Sequence, residues 1–222
     1  MATSPAGSLD TYARKRNFER TSEPPPTKAK RAAKGAAKAL SFVIQKHWAS
    51  HLHYDFRLEL DGVLVSWAVP KGPSYDPAAK HMAIHVEDHP LSYGGFEGQI
   101  PKGSYGAGSV IVWDNGSWEP VVDPHEGLDK GKLIFKLHGQ KLAGLWELVR
   151  ISKPGQFKQD HWLLLKKRGD AWARPGATYD VLTALPDSVV AQPLGLAEDR
   201  EPRGQTATAG RAPAAPDLAK AV

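Results

Sequence analysis

The chain has 222 residues, room for one β-rich domain with tails or at most two small domains, and its 41% hydrophobic content suffices for one sizeable core. Lys and Arg number 29 against 24 Asp and Glu, a formal net charge of +5, and this modest basic bias suits a phosphate-rich partner. Cysteine is absent, which excludes a disulfide frame and thiolate metal sites; the lack of a membrane-span-length apolar run and of a signal-peptide apolar region gives the expectation of a soluble, cytoplasmic protein with no membrane partner.

In chain order, residues 1–40 read as an N-terminal arm without a core pattern. Tyr12-Ala13-Arg14-Lys15-Arg16-Asn17-Phe18 is a short basic and aromatic patch, and Pro24-Pro25-Pro26 blocks a helix. Lys28, Lys30, Arg31, Lys34 and Lys38 follow among alanines with no acid between them, a stretch that serves either as a solubilising linker or as an arm that scans nucleic acid backbone. From residue 41 the texture changes to short Val-, Ile-, Phe- and Trp-rich runs punctuated by Gly, Pro and Asp. The runs predict antiparallel strands over 42–47, 52–60, 63–69, 82–86, 109–113, 118–122, 132–138, 145–151 and 162–166. Asp61-Gly62 and Asn115-Gly116 predict tight hairpin turns. Many short strands at this spacing indicate a mostly β barrel or sandwich with few short helices, placed at 41–186. Trp67, Trp113, Trp146 and Trp162 fall within strand patterns and belong to its core. Residues 187–222, rich in Ala, Pro, Gly and Arg, read as a disordered tail.

The run Leu52-His53-Tyr54-Asp55-Phe56-Arg57-Leu58-Glu59-Leu60 alternates without a fault. In a strand it would turn Leu52, Tyr54, Phe56, Leu58 and Leu60 to one face and His53, Asp55, Arg57 and Glu59 to the other. The second face is either a solvated surface or a site, and the order of its groups favours a site. His53 and Asp55 can chelate from one strand, and His47, ending the strand before, supplies a third ligand if the two strands pair. Imidazole and carboxylate together suit Mn, Fe or Zn. Arg57 is placed to clamp a phosphoryl oxygen beside the ion. Lys71 in Pro70-Lys71-Gly72 and Lys102 in Pro101-Lys102-Gly103 sit on stiff turns that fix an amine, as phosphate ligands or as ordinary surface lysines. His89, at a strand end before a proline, is an acid, a phosphate ligand or a loop polar group. Trp48, beside His47, is available to stack on a base, while His81, His85, His125, His138 and His161 read as structural or surface residues.

Five ordered blocks carry a resemblance: Gln45-Lys46-His47; the run 52–59; Ser66-Trp67-Ala68-Val69-Pro70-Lys71-Gly72-Pro73; Val86-Glu87-Asp88-His89-Pro90; and Phe96-Glu97-Gly98-Gln99-Ile100-Pro101-Lys102-Gly103. Together they resemble the 3′-phosphoesterase domain of bacterial DNA ligase D, the end-healing module of nonhomologous end joining, from about residue 12 to about residue 167. The resemblance implies a compact antiparallel β-barrel, a Mn²⁺ cofactor with other divalent transition metals as options, and action on DNA or DNA/RNA 3′ ends, as in a primer-template. It implies removal of a 3′-terminal ribonucleoside and then of the 3′-phosphate, leaving a 3′-hydroxyl. By position it makes His47, His53 and Asp55 the metal ligands and Arg57, Lys71 and His89 the phosphate-binding and transition-state groups, with His89 a candidate to protonate the leaving 3′ oxygen. Glu87 and Tyr93 become neighbouring active-site residues, and Arg16 and Glu23 catalytic residues on an N-terminal segment, 12–23, that packs on the barrel. A family carboxylate is replaced by Asn17, and a family arginine by His81, which takes its phosphate-binding position. No ligase or polymerase sequence follows, so the expected partner is a separate DNA ligase or end-joining factor, in a bacterial, nucleoid-associated setting. Two rivals share these residues. One is a DNA-end-binding accessory whose catalysis has decayed through Asn17 and His81. The other is a non-haem iron oxygenase built on the same two-His, one-carboxylate set.

Overall fold

Strand β1 (Leu40–Trp48) bonds along both of its edges, to β2 (Leu52–Leu60) on one side and to β7 (Gly108–Pro120) on the other, and this double pairing closes the sheet on itself. The computed structural model describes residues 8–27, 39–153 and 155–200. Among them the remaining strands are β3 (Val63–Val69), β4 (His81–His85), β5 (His89–Pro90), β6 (Gly98–Ile100), β8 (Lys132–Gly139), β9 (Ala143–Arg150) and β10 (His161–Lys166), and the helices are short: α1 (Asp10–Arg14), α2 (Pro124–Lys130) and α3 (Val181–Ala184). The ring runs β1-β2-β3-β4-β10-β9-β8-β7 and back to β1, an eight-stranded antiparallel barrel without free edges; β5 is appended to β3 and β6 to β7. No described helix is long and apolar enough to cross a membrane.

Alternation along each strand fills the barrel. Tyr54, Phe56, Leu58 and Leu60 of β2 join Phe42 and Ile44 of β1 and Val63, Val65, Trp67 and Val69 of β3 in one core, with Trp113, Trp118, Trp146 and Trp162 from the far wall. These tryptophans and Trp67 are at most 2% exposed, and each aromatic of this size removes about 150–250 Å² from water. The interior is therefore solid, and the reactive groups stand on the outer wall.

The β2 and β3 limits agree with the alternation pattern, and Asp61 and Gly62 (φ 51° and 81°) form the primed hairpin turn between them. Asn115-Gly116 makes no turn. Residues 109–113 and 118–120, from two expected strands, belong to the single strand β7, which ends at Pro120 before the expected limit of 122 and in which Asn115 pairs with Val43 and Gly116 with both Phe42 and Gly139. Gly116 is needed there because a Cβ would stand 2.1 Å from the His138 carbonyl oxygen; the glycine permits close strand approach instead of chain reversal.

Two segments cover the outer wall beside β1, β2 and β3. A second apolar cluster unites Tyr12, Val43, Leu64, Tyr93, Phe96, Ile100, Val110, Val112 and Val189. Tyr12 is fully buried, and its hydroxyl donates to the Pro24 carbonyl at 2.6 Å. The tail expected from residue 187 is packed as far as Arg200. Val189 N–H donates to Val112 O at 3.0 Å, and Ser188, Val189 and Ala197 are buried. Two apolar anchors hold a stretch whose average composition is that of a linker. The Lys/Ala stretch and residues 201–222 lie outside the described residues.

Candidate active site

The register of the β1–β2 hairpin decides which outward side chains meet. His47 pairs with His53, and Gln45 with Asp55, so two imidazoles stand directly opposite one another with a carboxylate diagonally between them. His47 Nδ1 lies 3.6 Å from Asp55 Oδ2, His53 Nε2 lies 3.7 Å from Asp55 Oδ1, and one ligand atom from each of the three residues falls within 4.8 Å of the others. The far nitrogen of each ring faces a backbone carbonyl: His47 Nε2 is 2.8 Å from Gly106 O, and His53 Nδ1 is 3.0 Å from His51 O. A carbonyl only accepts, so each ring places its proton there and turns a lone pair toward Asp55. Three acceptors thus converge with no hydrogen between them, an arrangement that fits a divalent cation.

Arg57, the next outward residue of β2, is 2% exposed. Its Nε donates to Gln45 Oε1 at 2.9 Å and its Nη1 to Ser66 Oγ at 2.9 Å, while Nη2 lies 3.1 Å from Asp55 Oδ2. Gln45 in turn donates through Nε2 to the carbonyls of Tyr93 and Phe96, at 3.0 and 2.9 Å. The guanidinium plane is fixed from three sides. Burial alone would raise the Asp55 pKa, but the Arg57 guanidinium beside it overcomes this and holds the carboxyl far below its ordinary value.

Over this wall lies a second layer. His89 Nδ1 is 2.9 Å from both Arg57 Nη1 and the Glu87 carbonyl, and Nε2 is 3.2 Å from Arg16 Nη2. Both guanidiniums only donate, so Nε2 accepts from Arg16, while Nδ1 stands between the Arg57 donor and the Glu87 carbonyl acceptor. Burial, then Arg57 and Arg16, push the His89 pKa well below the ordinary imidazole value, so His89 is neutral. Arg16 Nε pairs with Glu23 Oε1 at 2.8 Å and Nη1 with Glu87 Oε1 at 3.2 Å, and Lys15 Nζ meets Glu87 Oε2 at 2.8 Å. The Tyr93 hydroxyl donates to Glu23 Oε1 at 3.0 Å, and its pKa is raised by burial. Arg16, Arg57 and Lys15 balance Asp55, Glu23 and Glu87, which leaves this cluster neutral as it stands.

Residues 45–150 match the DNA Ligase D 3′-phosphoesterase domain. Over 207 residues, 93% of the chain, the sequence is 53% identical to the multifunctional non-homologous end joining protein LigD of Pseudomonas aeruginosa, of which it spans 23%. The chain belongs to the DNA ligase D 3′-phosphoesterase domain family. It is also 46% identical over 161 residues, 71% of the chain, to the multifunctional non-homologous end joining DNA repair protein LigD of Mycobacterium tuberculosis, of which it spans 19%. To the LigD protein of Mycolicibacterium smegmatis it is 41% identical over 176 residues, 77% of the chain and 22% of that protein. The chain spans less than a quarter of the length of each of these LigD proteins.

Within this phosphoesterase domain the structure brings together His47, His53, Asp55, Arg57, His89, Glu87, Tyr93, Arg16 and Glu23. Lys71 and His81 stand apart from them. Lys71 is exposed on the turn after β3, and its side chain has no hydrogen-bond or ion-pair partner among the described residues. His81 places Nδ1 2.6 Å from the Gly72 carbonyl, so it braces that turn. Asn17 is exposed and accepts from the Glu19 N–H at 3.0 Å. Sequence reasoning passed over Gln45, Ser66 and Lys15. Gln45 and Ser66 were available from alternation, being outward neighbours of His47 and Arg57. The Gly106 carbonyl, a backbone group, leaves no mark in residue type.

Proposed function

We propose that the chain is a metal-dependent 3′-phosphoesterase that removes a 3′-phosphate, and a 3′-terminal ribonucleoside, from DNA or DNA/RNA ends and leaves a 3′-hydroxyl for ligation. The convergence of the His47, His53 and Asp55 lone pairs beside Arg57 carries this reading, and the family gives it its substrate class. His47 Nδ1, His53 Nε2 and an Asp55 oxygen would hold the ion, with Mn²⁺ as the metal of choice. Bound there, a divalent ion supplies Lewis-acid polarisation of a phosphoryl oxygen, and it gives the neutral cluster the charge that a phosphate monoester dianion matches.

The chain's own groups do the rest. Gln45 and Ser66 fix the Arg57 plane so that the second Nη2 hydrogen, the one not directed at Asp55, is free for a phosphoryl oxygen. His89 accepts from Arg16 and stands against Arg57, which holds two guanidiniums around one site where charge builds during transfer. Held between Arg16 and Arg57, His89 positions these two cations. Glu23 and Glu87 aim Arg16, and the exposed Lys71 adds a cation outside this cluster.

The test is a panel of divalent metals against primer-templates ending in a 3′-phosphate or a single 3′-ribonucleotide. Formation of a 3′-hydroxyl with Mn²⁺, lost in His53→Ala and Asp55→Ala, is expected. Unchanged product in either variant defeats the ligand assignment. Salt-sensitive end binding without product in any metal would instead support the accessory role.

A further inference from the structure

The second layer has an outer side that the chemistry above does not use. A cleft of about 290 Å³ opens between the N-terminal segment and the turn at Gly103–Tyr105, lined in part by Arg14, Lys15, Arg16, Arg20, Ser104 and Tyr105. Four of the ten residues that line it are cations. The acid that also lines it, Glu23, is 4% exposed and already bonded to Arg16, Tyr93 and Thr21. Arg14 and Arg20 are exposed, and Arg20 has no ion-pair partner among the described residues.

The Tyr105 ring is 50% exposed, although Lys15 Nζ lies 4.4 Å from its centroid and 3.1 Å from its hydroxyl. Lys15 also holds Glu87, so the ring is tethered in place yet keeps open apolar area. The next residue, Gly106, gives the carbonyl that orients His47. Arg16 lines the cleft and touches His89 as well. The cleft is therefore linked to the metal-ligand group through Tyr105, Gly106 and His47, and to the His89–Arg57 layer through Arg16.

We infer that this cleft seats the strand next to the reacting terminus, with Arg14 and Arg20 meeting internucleotide phosphates and the Tyr105 ring stacking on an unpaired nucleobase. A positively lined groove with a half-exposed aromatic is how single strands are held without regard to sequence. This inference rests on the phosphoesterase reading and names what extends the substrate beyond its terminal phosphate. A nucleoside 3′-phosphate is too short to fill both places.

The experiment uses the full chain and a fluorescein-labelled oligonucleotide ending in a 3′-phosphate, with binding read by anisotropy in EDTA and turnover read in Mn²⁺. Tyr105→Ala should weaken binding about tenfold, on the order of one lost base stack, while Tyr105→Phe, which keeps the ring, restores it. The double variant Arg14→Ala/Arg20→Ala should reduce the salt slope by about 2, one unit for each lost phosphate contact. In turnover, KM for the oligonucleotide should rise more than kcat falls, and more than KM for thymidine 3′-phosphate rises. Unchanged oligonucleotide binding in both variants overturns the inference, as does an equal loss on the oligonucleotide and on thymidine 3′-phosphate. Failure of the parent reading looks different: the unaltered chain would bind the oligonucleotide and yield no product in any metal.

Discussion

Arg57 Nη2 lies 3.1 Å from Asp55 Oδ2, two positions along the same outward face of β2. The pair is buried, and each partner is fixed by others: Arg57 by Gln45 and Ser66, Asp55 by its place between two imidazoles. Arg57→Lys keeps the charge and loses the fork, leaving Gln45 Oε1 and Ser66 Oγ without their donor. Urea unfolding should show a loss of about 2 kcal/mol, the cost of buried polar groups left unsatisfied. A loss within experimental error would mean that the fork is not what organises this wall.

Metal should stabilise the folded chain. A ligand present at 100 times its Kd adds about 2.7 kcal/mol, so Mn²⁺ should raise the melting temperature of the unaltered protein. His53→Ala should abolish most of that rise and change the melting temperature in EDTA little, because His53 is only half-buried and its loss vacates no core. An undiminished rise in the variant would place the ion elsewhere.

His89 gives stability a pH dependence whose sign is fixed. Burial and two guanidiniums lower its pKa in the folded state, so below about pH 6.5 the unfolded chain binds a proton that the folded chain refuses, and stability falls as pH falls. Between pH 7.5 and 5.5, in chelator, the unaltered protein should lose about 1 kcal/mol more than His89→Gln does, since one pH unit below the imidazole pKa corresponds to about 1.4 kcal/mol. His85, also lowered by burial, contributes equally to both proteins and cancels. Equal losses in chemical denaturation at the two pH values would contradict the neutral state of His89.

The N-terminal segment is held by Tyr12 and by the Arg16–Glu23 pair, 5% and 1% exposed in its side chains, which is tied to the barrel through Tyr93 on Glu23 and Glu87 on Arg16. Removing one partner of a buried pair costs about 3–5 kcal/mol, here drawn on the local docking of one segment. Glu23→Ala should therefore speed tryptic cleavage after Arg14, Lys15, Arg16 or Arg20 by roughly tenfold or more, since cleavage proceeds through local opening. Fragment masses over a time course read this directly. An unaltered cleavage rate would show that the pair does not anchor the segment.

Much of the wall was legible and little of what covers it. Unbroken alternation in residues 52–60 shows both faces of β2, and with the strand before it shows which side chains can meet. The same pattern carries no information about what lies above the outer face. Arg57 reads as an outward cation placed to clamp a phosphoryl oxygen, but its burial is not legible, because residues 8–27 and the segment around His89 and Tyr93 fold over it from afar. Strands β5 and β6, two and three residues long, are too short to show a period. Asn115-Gly116 misleads because a glycine that admits a neighbouring backbone looks the same in sequence as one that reverses the chain. Val189 and Ala197 were hidden by averaging, since two apolar contacts do not alter the composition of a linker-like stretch.

The tryptophan-filled interior of the ring has a consequence for what the domain can accept. A hollow barrel would admit only molecules that fit its bore, and would bind a polymer end by swallowing it. Here the cylinder is plugged, and the groups that react hang on its flank like tools on the outside of a drum. A polymer of any length can lie across that flank and present its last residue without threading, so size is no filter and selectivity must come from the identity of the tip.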